Sequence, residues 1–166
     1  MEKSIFRIAT VVVFVSIIAG IIMLPTVFKI TSMKNKAVIG IRNQTIFVDV
    51  VDTESTRARG LGKRSSIGIN EGMYFVFDDV GFHGIWMKDM QFPIDIVWIR
   101  NNRIVDIKEN VDPQIGTPLE KLNTYFPKSL DDHVLELKAG RVKLLKAEIG
   151  DPVSIHSLVN DDATIR

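Results

Sequence analysis

The run Ile94–Ile99, reading IDIVWI, restricts the fold more than any other stretch of this chain. In an extended strand Ile94, Ile96 and Trp98 face one way and Asp95, Val97 and Ile99 the other. A strand that is apolar on both sides has to be covered on both sides, so it belongs in the middle of a sheet. Asp95 is the exception. A carboxylate there is buried, and buried charges need a partner.

The preceding residues deepen the problem, because Gly84–Ile99 (GIWMKDMQFPIDIVWI) brackets a lysine and two aspartates with two tryptophans. Pro93 is acceptable as the first residue of a strand. With Met90–Pro93 as a hairpin loop, Asp89 pairs with Ile94, Lys88 lies opposite Asp95, and Trp86 sits beside Val97. This register predicts a Lys88–Asp95 contact, and a slip of one residue would put the two on opposite faces.

The remaining pattern is a series of short strands. Ala37–Ile41 and Thr45–Val51 are β-branched runs joined through Arg42-Asn43-Gln44, as in a hairpin. Asp52 or Thr53 caps a short helix reaching about Leu61, with Glu54 in its first turn and Gly60 or Gly62 to end it. Met73–Phe77, Gly81–Met87 and Arg103–Glu109 read as strands, the last preceded by an Asn101-Asn102 tight turn. Val111–Asp132, with three prolines, reads as a long loop lying over the domain. His133–Leu137 is a strand, Arg141–Ala147 a short amphipathic helix, and Val153–Ser157 the last strand. About eight short strands with two short helices imply a mainly-β domain, a single sandwich or partly open barrel.

A different kind of segment precedes this domain. Ile8–Phe28 is 21 residues without a charge, about 30 Å as a helix and enough to cross a bilayer. No small-residue cleavage site follows it, so the reading is an uncleaved transmembrane anchor of signal-anchor form. The expected organisation is a tail (1–7), the anchor (8–28), a basic tether (29–36), the β-rich domain (37–159) and a frayed tail (160–166). The charge rule alone mildly favours a cytoplasmic domain, since Lys29, Lys34, Lys36 and Arg42 follow the span. The very short basic tail before the apolar run favours the opposite, extracytoplasmic placement.

Chemistry is harder to read. The net charge is +1 with acids and bases interspersed, and no basic stripe points to nucleic acid. There is no cysteine, hence no thiol nucleophile. His83, His133 and His156 lack metal-ligand spacing, and no cofactor motif is present. Gly60-Leu61-Gly62 is a two-glycine turn without the lysine of a phosphate loop, and Ser65-Ser66 has no nucleophile-elbow context. What remains is charge within apolar strands: Lys88, Asp95, and Glu136 between Leu135 and Leu137, with Arg59 and Arg64 near the first helix as counter-charges and Trp86 as a platform.

Six fragments in order resemble the domain of unknown function 192 family, also called uncharacterised protein family 0127. They are RARGLGKR (Arg57–Arg64), EGMYFVF (Glu71–Phe77), WMKDMQFPIDIVWI (Trp86–Ile99), YFP (Tyr125–Pro127), VLELKAG (Val134–Gly140) and IGDPV (Ile149–Val153). The resemblance implies a compact, mainly-β domain, often behind a signal or anchor, and brings no established activity. It also marks Asp89 and Met90 as departures, since the family commonly has Asn and Thr there.

Three functions fit these observations. The first is a membrane-anchored extracytoplasmic domain binding a small ligand or protein partner at the cell envelope through Arg59, Arg64, Trp86, Lys88, Asp95 and Glu136. The second is an envelope hydrolase, for example glycan-directed, using Asp95 and Glu136 as a carboxylate pair with Lys88. The third is a scaffold in which those charges are structural.

Overall fold

The structure, a computed structural model, describes residues 35–157. The expected anchor and both expected tails lie outside the described residues. Among those described, no helix is long and apolar enough to cross a membrane.

Nine strands occur among the described residues: β1 (Lys36–Ile41), β2 (Gln44–Val51), β3 (Glu71–Gly81), β4 (Ile85–Trp86), β5 (Ile94–Arg100), β6 (Arg103–Val111), β7 (Thr124–Tyr125), β8 (Asp131–Lys138) and β9 (Val153–Ser157). Two short α-helices accompany them, α1 (Glu54–Arg59) and α2 (Arg141–Leu145). Seven strands form one sheet in the order β6-β5-β8-β3-β2-β1-β9, while β4 and β7 form a separate two-stranded ribbon.

The sandwich alternative is corrected by this arrangement. A single sheet curls into a half-barrel, and its two edges touch at one point, where Arg103 bridges Pro152. There Ile104 N–H donates to Asp151 O (3.0 Å) and Val153 N–H to Asn102 O (2.9 Å). Arg42 tightens the same corner through Asp151 (2.5 Å) and Glu148 (3.0 Å).

Local sequence explains the hairpins. Arg42 and Asn43 take φ of 46° and 61°, and Asn101 and Asn102 take 50° and 57°. Two consecutive left-handed residues make the turn whose twist matches antiparallel strands. The capping expectation also holds, since Thr53 accepts from Thr56 N–H and Gly60 ends α1 at φ 51°.

One pairing sets up everything that follows. β2 and β3 are parallel, so the chain cannot turn directly and must cross the sheet face between them. α1 and residues 60–70 are that crossover. Leu61 and Ile67 pack under it against Met73, Phe75, Ile96 and Trp98. On the concave side Tyr74, Val97, Ile99, Leu135 and Leu137 form a second core with Val142 and Leu145 of α2. β5 is therefore covered on both faces, with six of its seven residues buried, as its sequence requires.

Candidate functional site

The hairpin expected from Met90–Pro93 does not form. β4 pairs with β7, Ile85 opposite Tyr125 and Trp86 opposite Thr124. Both edges of β5 are taken, by β6 and β8. The reason is length: β6 follows through an ideal Asn-Asn turn and β8 offers a six-residue register, whereas Pro93 has no N–H and Asp89 sits at φ 57°. The chain between Gly84 and Phe92 instead lies across the convex face, burying Ile85, Met87, Met90 and Phe92. The expected long loop Val111–Asp132 is partly ordered by the same pairing, because it contains β7 and a 3-10 turn at Leu119–Lys121.

The Lys88–Asp95 contact falls with that register. Asp95 is fully buried and both carboxylate oxygens have other partners. Oδ2 accepts from Val142 N–H (2.9 Å) and Oδ1 from Asn110 N–H (2.9 Å). Val142 is in the first turn of α2, whose preceding residue Gly140 has no side chain to cap with. Asp95 supplies the missing cap from a neighbouring strand, where the helix end favours negative charge. Lys88→Met should accordingly change the unfolding free energy by less than ~1 kcal/mol, since Lys88 is half-buried and in no ion pair among the described residues, as measured by urea denaturation.

The carboxylate pair is separated by strand alternation. Asp95 lies opposite Leu137 and Ile96 opposite Glu136, and cross-strand partners share a face. Asp95 thus faces the concave core and Glu136 the convex side. The two carboxyls share no cleft, which removes the geometry that an Asp95–Glu136 hydrolase needs.

What does converge is a pocket on the convex face, about 320 Å³, lined by residues including Arg59, Gly60, Phe75, Phe77, Trp86, Lys88 and Glu136. Four of the six residues singled out from sequence meet there: Arg59, Trp86, Lys88 and Glu136. Arg64 lies outside the lining and pairs with Asp49 (2.8 Å). Asp49 also bonds Lys36; burial pushes its carboxyl pKa up, but the two cations outweigh that and hold it below the usual carboxylate value.

Each lining residue has a local cause. α1 brings Arg57 and Arg59, and Gly60 turns the chain inward. A Cβ at Gly60 would lie 3.5 Å from Phe75 Cζ and 3.9 Å from Glu136 Oε2. Gly62 is needed for another reason: a Cβ there would come within 3.0 Å of Lys88 O, so only glycine lets the crossover abut the Gly84–Phe92 segment. Trp86 is 39 % exposed rather than packed beside Val97; its partner on the pocket wall is Lys88, whose Nζ is 5.5 Å from the ring centroid. Trp98 takes the core role and donates Nε1–H to His83 O (2.8 Å).

Glu136 is the unusual group. It is 4 % exposed, and its Oε2 is buried without a hydrogen-bond partner. Burial pushes its carboxyl up to about 8, against a smaller opposing pull from Arg64. It is therefore mostly protonated at neutral pH. Arg57 is committed elsewhere: its Nη1 donates to Asp52 O (2.6 Å) and Val76 O (2.8 Å), and its guanidinium lies over Phe77. Sequence reading missed Phe75, Phe77 and Gly60 as pocket residues. Their signal was present in the alternation of β3 and in the RARGLG fragment, but which face the crossover covers is not a local property.

Of the histidines, His83 is internally satisfied. Its Nδ1 and Asp131 Oδ2 are 2.9 Å apart, its N–H donates to Asp131 Oδ1 (3.0 Å), and its ring stacks on Phe77. Burial raises the Asp131 carboxyl, partly offset by those His83 bonds. His133 stacks on Tyr74 and meets Asp132. Among the described residues no cluster of three or more His, Asp or Glu side chains is arranged for a metal ion.

Two solved structures share this architecture. One, from Sinorhizobium meliloti 1021, is described as a proposed transcription regulator; it is 26 % identical with a TM-score of 0.64, over 74 % of this chain and 94 % of that one. The other, a protein of unknown function from Novosphingobium aromaticivorans DSM 12444, is 22 % identical with a TM-score of 0.62, over 72 % and 83 %. No curated protein matches the sequence. The family model for domain of unknown function 192, described as "Uncharacterized ACR", matches residues 37–155, which is more than half of the chain. This chain belongs to the domain of unknown function 192 family.

Proposed function

We propose that this chain is a membrane-anchored domain that binds a small ligand at the extracytoplasmic face of the cell envelope, in the pocket beneath α1. The observation that carries the binding reading is Glu136 Oε2, a buried polar atom with no partner behind an open, mostly apolar cavity. Buried polar atoms are nearly always bonded, and leaving one unmade costs ~1–3 kcal/mol. A ligand atom that reached Oε2 would recover that energy. The pocket is at the small end of the ~300–1,000 Å³ usual for ligand sites. Support for anchoring comes from Ile8–Phe28, which has the length and composition of a span.

A transcription-regulator role, the description given to the S. meliloti protein, has little physical support in this chain if it requires direct contact with nucleic acid. Its charge is nearly balanced, and nucleic-acid binding draws most of its affinity from clustered cations. The hydrolase reading has lost its carboxylate pair.

Hydrogen exchange of the full chain in lipid nanodiscs tests the pocket. A set of small fragments of mixed charge is expected to include compounds that slow exchange at 57–62 and 84–88. If no fragment of any charge does so, the binding reading is wrong. Protease treatment of intact spheroplasts tests placement, with digestion of the domain expected and its protection reversing the orientation.

A further inference from the structure

The charge on the pocket wall restricts what could enter it. Arg59 from α1 and Lys88 from the Gly84–Phe92 segment line the cavity, and among the described residues neither is engaged in an ion pair. Glu54 is the one carboxylate of the lining besides Glu136. Arg57 adds a third cation, although its donors are already bonded to backbone carbonyls. With Glu136 protonated, the lining is net positive at neutral pH. An ammonium ligand would meet repulsion on entry, and Lys88 already lies over one face of the Trp86 ring. An anion would meet two cations with spare donors.

The far end of the cavity asks for something different. The groups facing Glu136 are Phe75 and Met73 from β3, Ile96 from β5, Gly60 from the crossover and, through space, the charge of Arg64. In its protonated form Glu136 offers an O–H there, and that requires an acceptor.

We infer that the pocket takes a small organic anion: a carboxylate held between Arg59 and Lys88, an apolar body against Trp86, Phe75 and Phe77, and a hydrogen-bond acceptor at the far end meeting Glu136. This rests on the pocket being a binding site and goes further by fixing the ligand class. Affinity then depends on pH in one direction. As pH rises from 7 to 9, Glu136 ionises, its donated bond is lost, and a negative charge faces the ligand's acceptor.

Three probes of one shape separate the possibilities: 4-acetylbenzoate, 4-acetylbenzamide and 4-acetylbenzylamine, with the same body and acceptor and with negative, zero and positive charge. They are titrated against the full chain in nanodiscs by tryptophan fluorescence, with empty nanodiscs subtracted and Trp86→Phe identifying the reporting ring. The benzoate is expected to bind most tightly, to weaken at least several-fold in Lys88→Met and in Arg59→Met, and to lose about tenfold between pH 7 and 9, equivalent to ~1.4 kcal/mol. Glu136→Gln keeps a donor at every pH and should bind the benzoate with the pH dependence removed. Tightest binding of the benzylamine, or equal binding of all three, overturns the anion assignment while leaving the pocket as a binding site. Binding of none of them also overturns it, and the mixed-charge exchange experiment then decides separately whether the pocket binds anything.

Discussion

Asp95→Ala is expected to lower the stability of the domain by about 2–6 kcal/mol, the loss typical of leaving two buried backbone donors without an acceptor. Two backbone N–H groups, those of Asn110 and Val142, lose their acceptor in a fully buried site. Each unsatisfied donor costs ~1–3 kcal/mol. The α2 end also loses the charge that complements its dipole. Asn is a poor substitute because its amide nitrogen would face one of the two donors. Adding Lys88→Met to Asp95→Ala should give no relief, since the two residues do not touch and distant effects add. Urea denaturation of the four proteins measures this. A loss under ~1 kcal/mol, or rescue in the double variant, would show that the cap is not what holds Asp95.

The second large effect is a pH dependence that resides in one residue. The ordinary carboxyl value for Glu136 is 4.5, and burial raises it to about 8 in the folded protein. The folded state therefore binds this proton more tightly than the unfolded chain. The stability that protonation contributes is fully present below about 4.5, falls as pH rises toward 8, and is gone above it. At about 1.4 kcal/mol per pH unit, the change across that window is about 5 kcal/mol. Burial raises the Asp131 carboxyl as well, so the informative quantity is the difference between wild type and Glu136→Gln. That difference should shift steadily in favour of the glutamine variant between pH 5 and 8 and level off above it. Parallel stability curves for the two proteins would mean that Glu136 is not held neutral by the fold.

The two effects arise from one structural fact: neighbouring positions on paired strands place their acids in opposite environments. Asp95 faces the concave core, where Val142 of α2 and Asn110 of β6 each present a backbone N–H to it, and stays bonded. Glu136 faces the convex side beside a cavity, where no donor reaches Oε2. The same residue class, buried to a similar degree, therefore serves as a fixed cap in one place and as an unpaired group in the other. The sequence shows a carboxylate in an apolar strand in both cases.

Local chemistry was legible wherever the deciding interaction spans a few residues. The Arg42-Asn43 and Asn101-Asn102 turns, the Thr53 cap with its Gly60 stop, and the two-faced burial of Ile94–Ile99 follow from propensity, capping and period alone. The strand Val153–Ser157 was likewise readable from its own residues. The convergence of Arg59, Trp86, Lys88 and Glu136 was partly legible, because charge and tryptophan in apolar company mark a passage as special without saying what it faces.

Partner choice could not be read in this way. A β4–β5 hairpin satisfies the local pattern of Gly84–Ile99 as well as the observed arrangement does. It is excluded only because β6 and β8 fill both edges of β5 with longer ladders. That competition is between segments up to about forty residues apart, and no local window contains it. By itself the sequence determined that Ile94–Ile99 is a covered central strand and that Asp95 has to be bonded within it. Only the tertiary structure decided that α2 supplies the bond, that Lys88 turns instead to Trp86, and that the parallel β2–β3 crossover opens a cavity over Glu136, because each of those outcomes depends on which distant strand wins an edge.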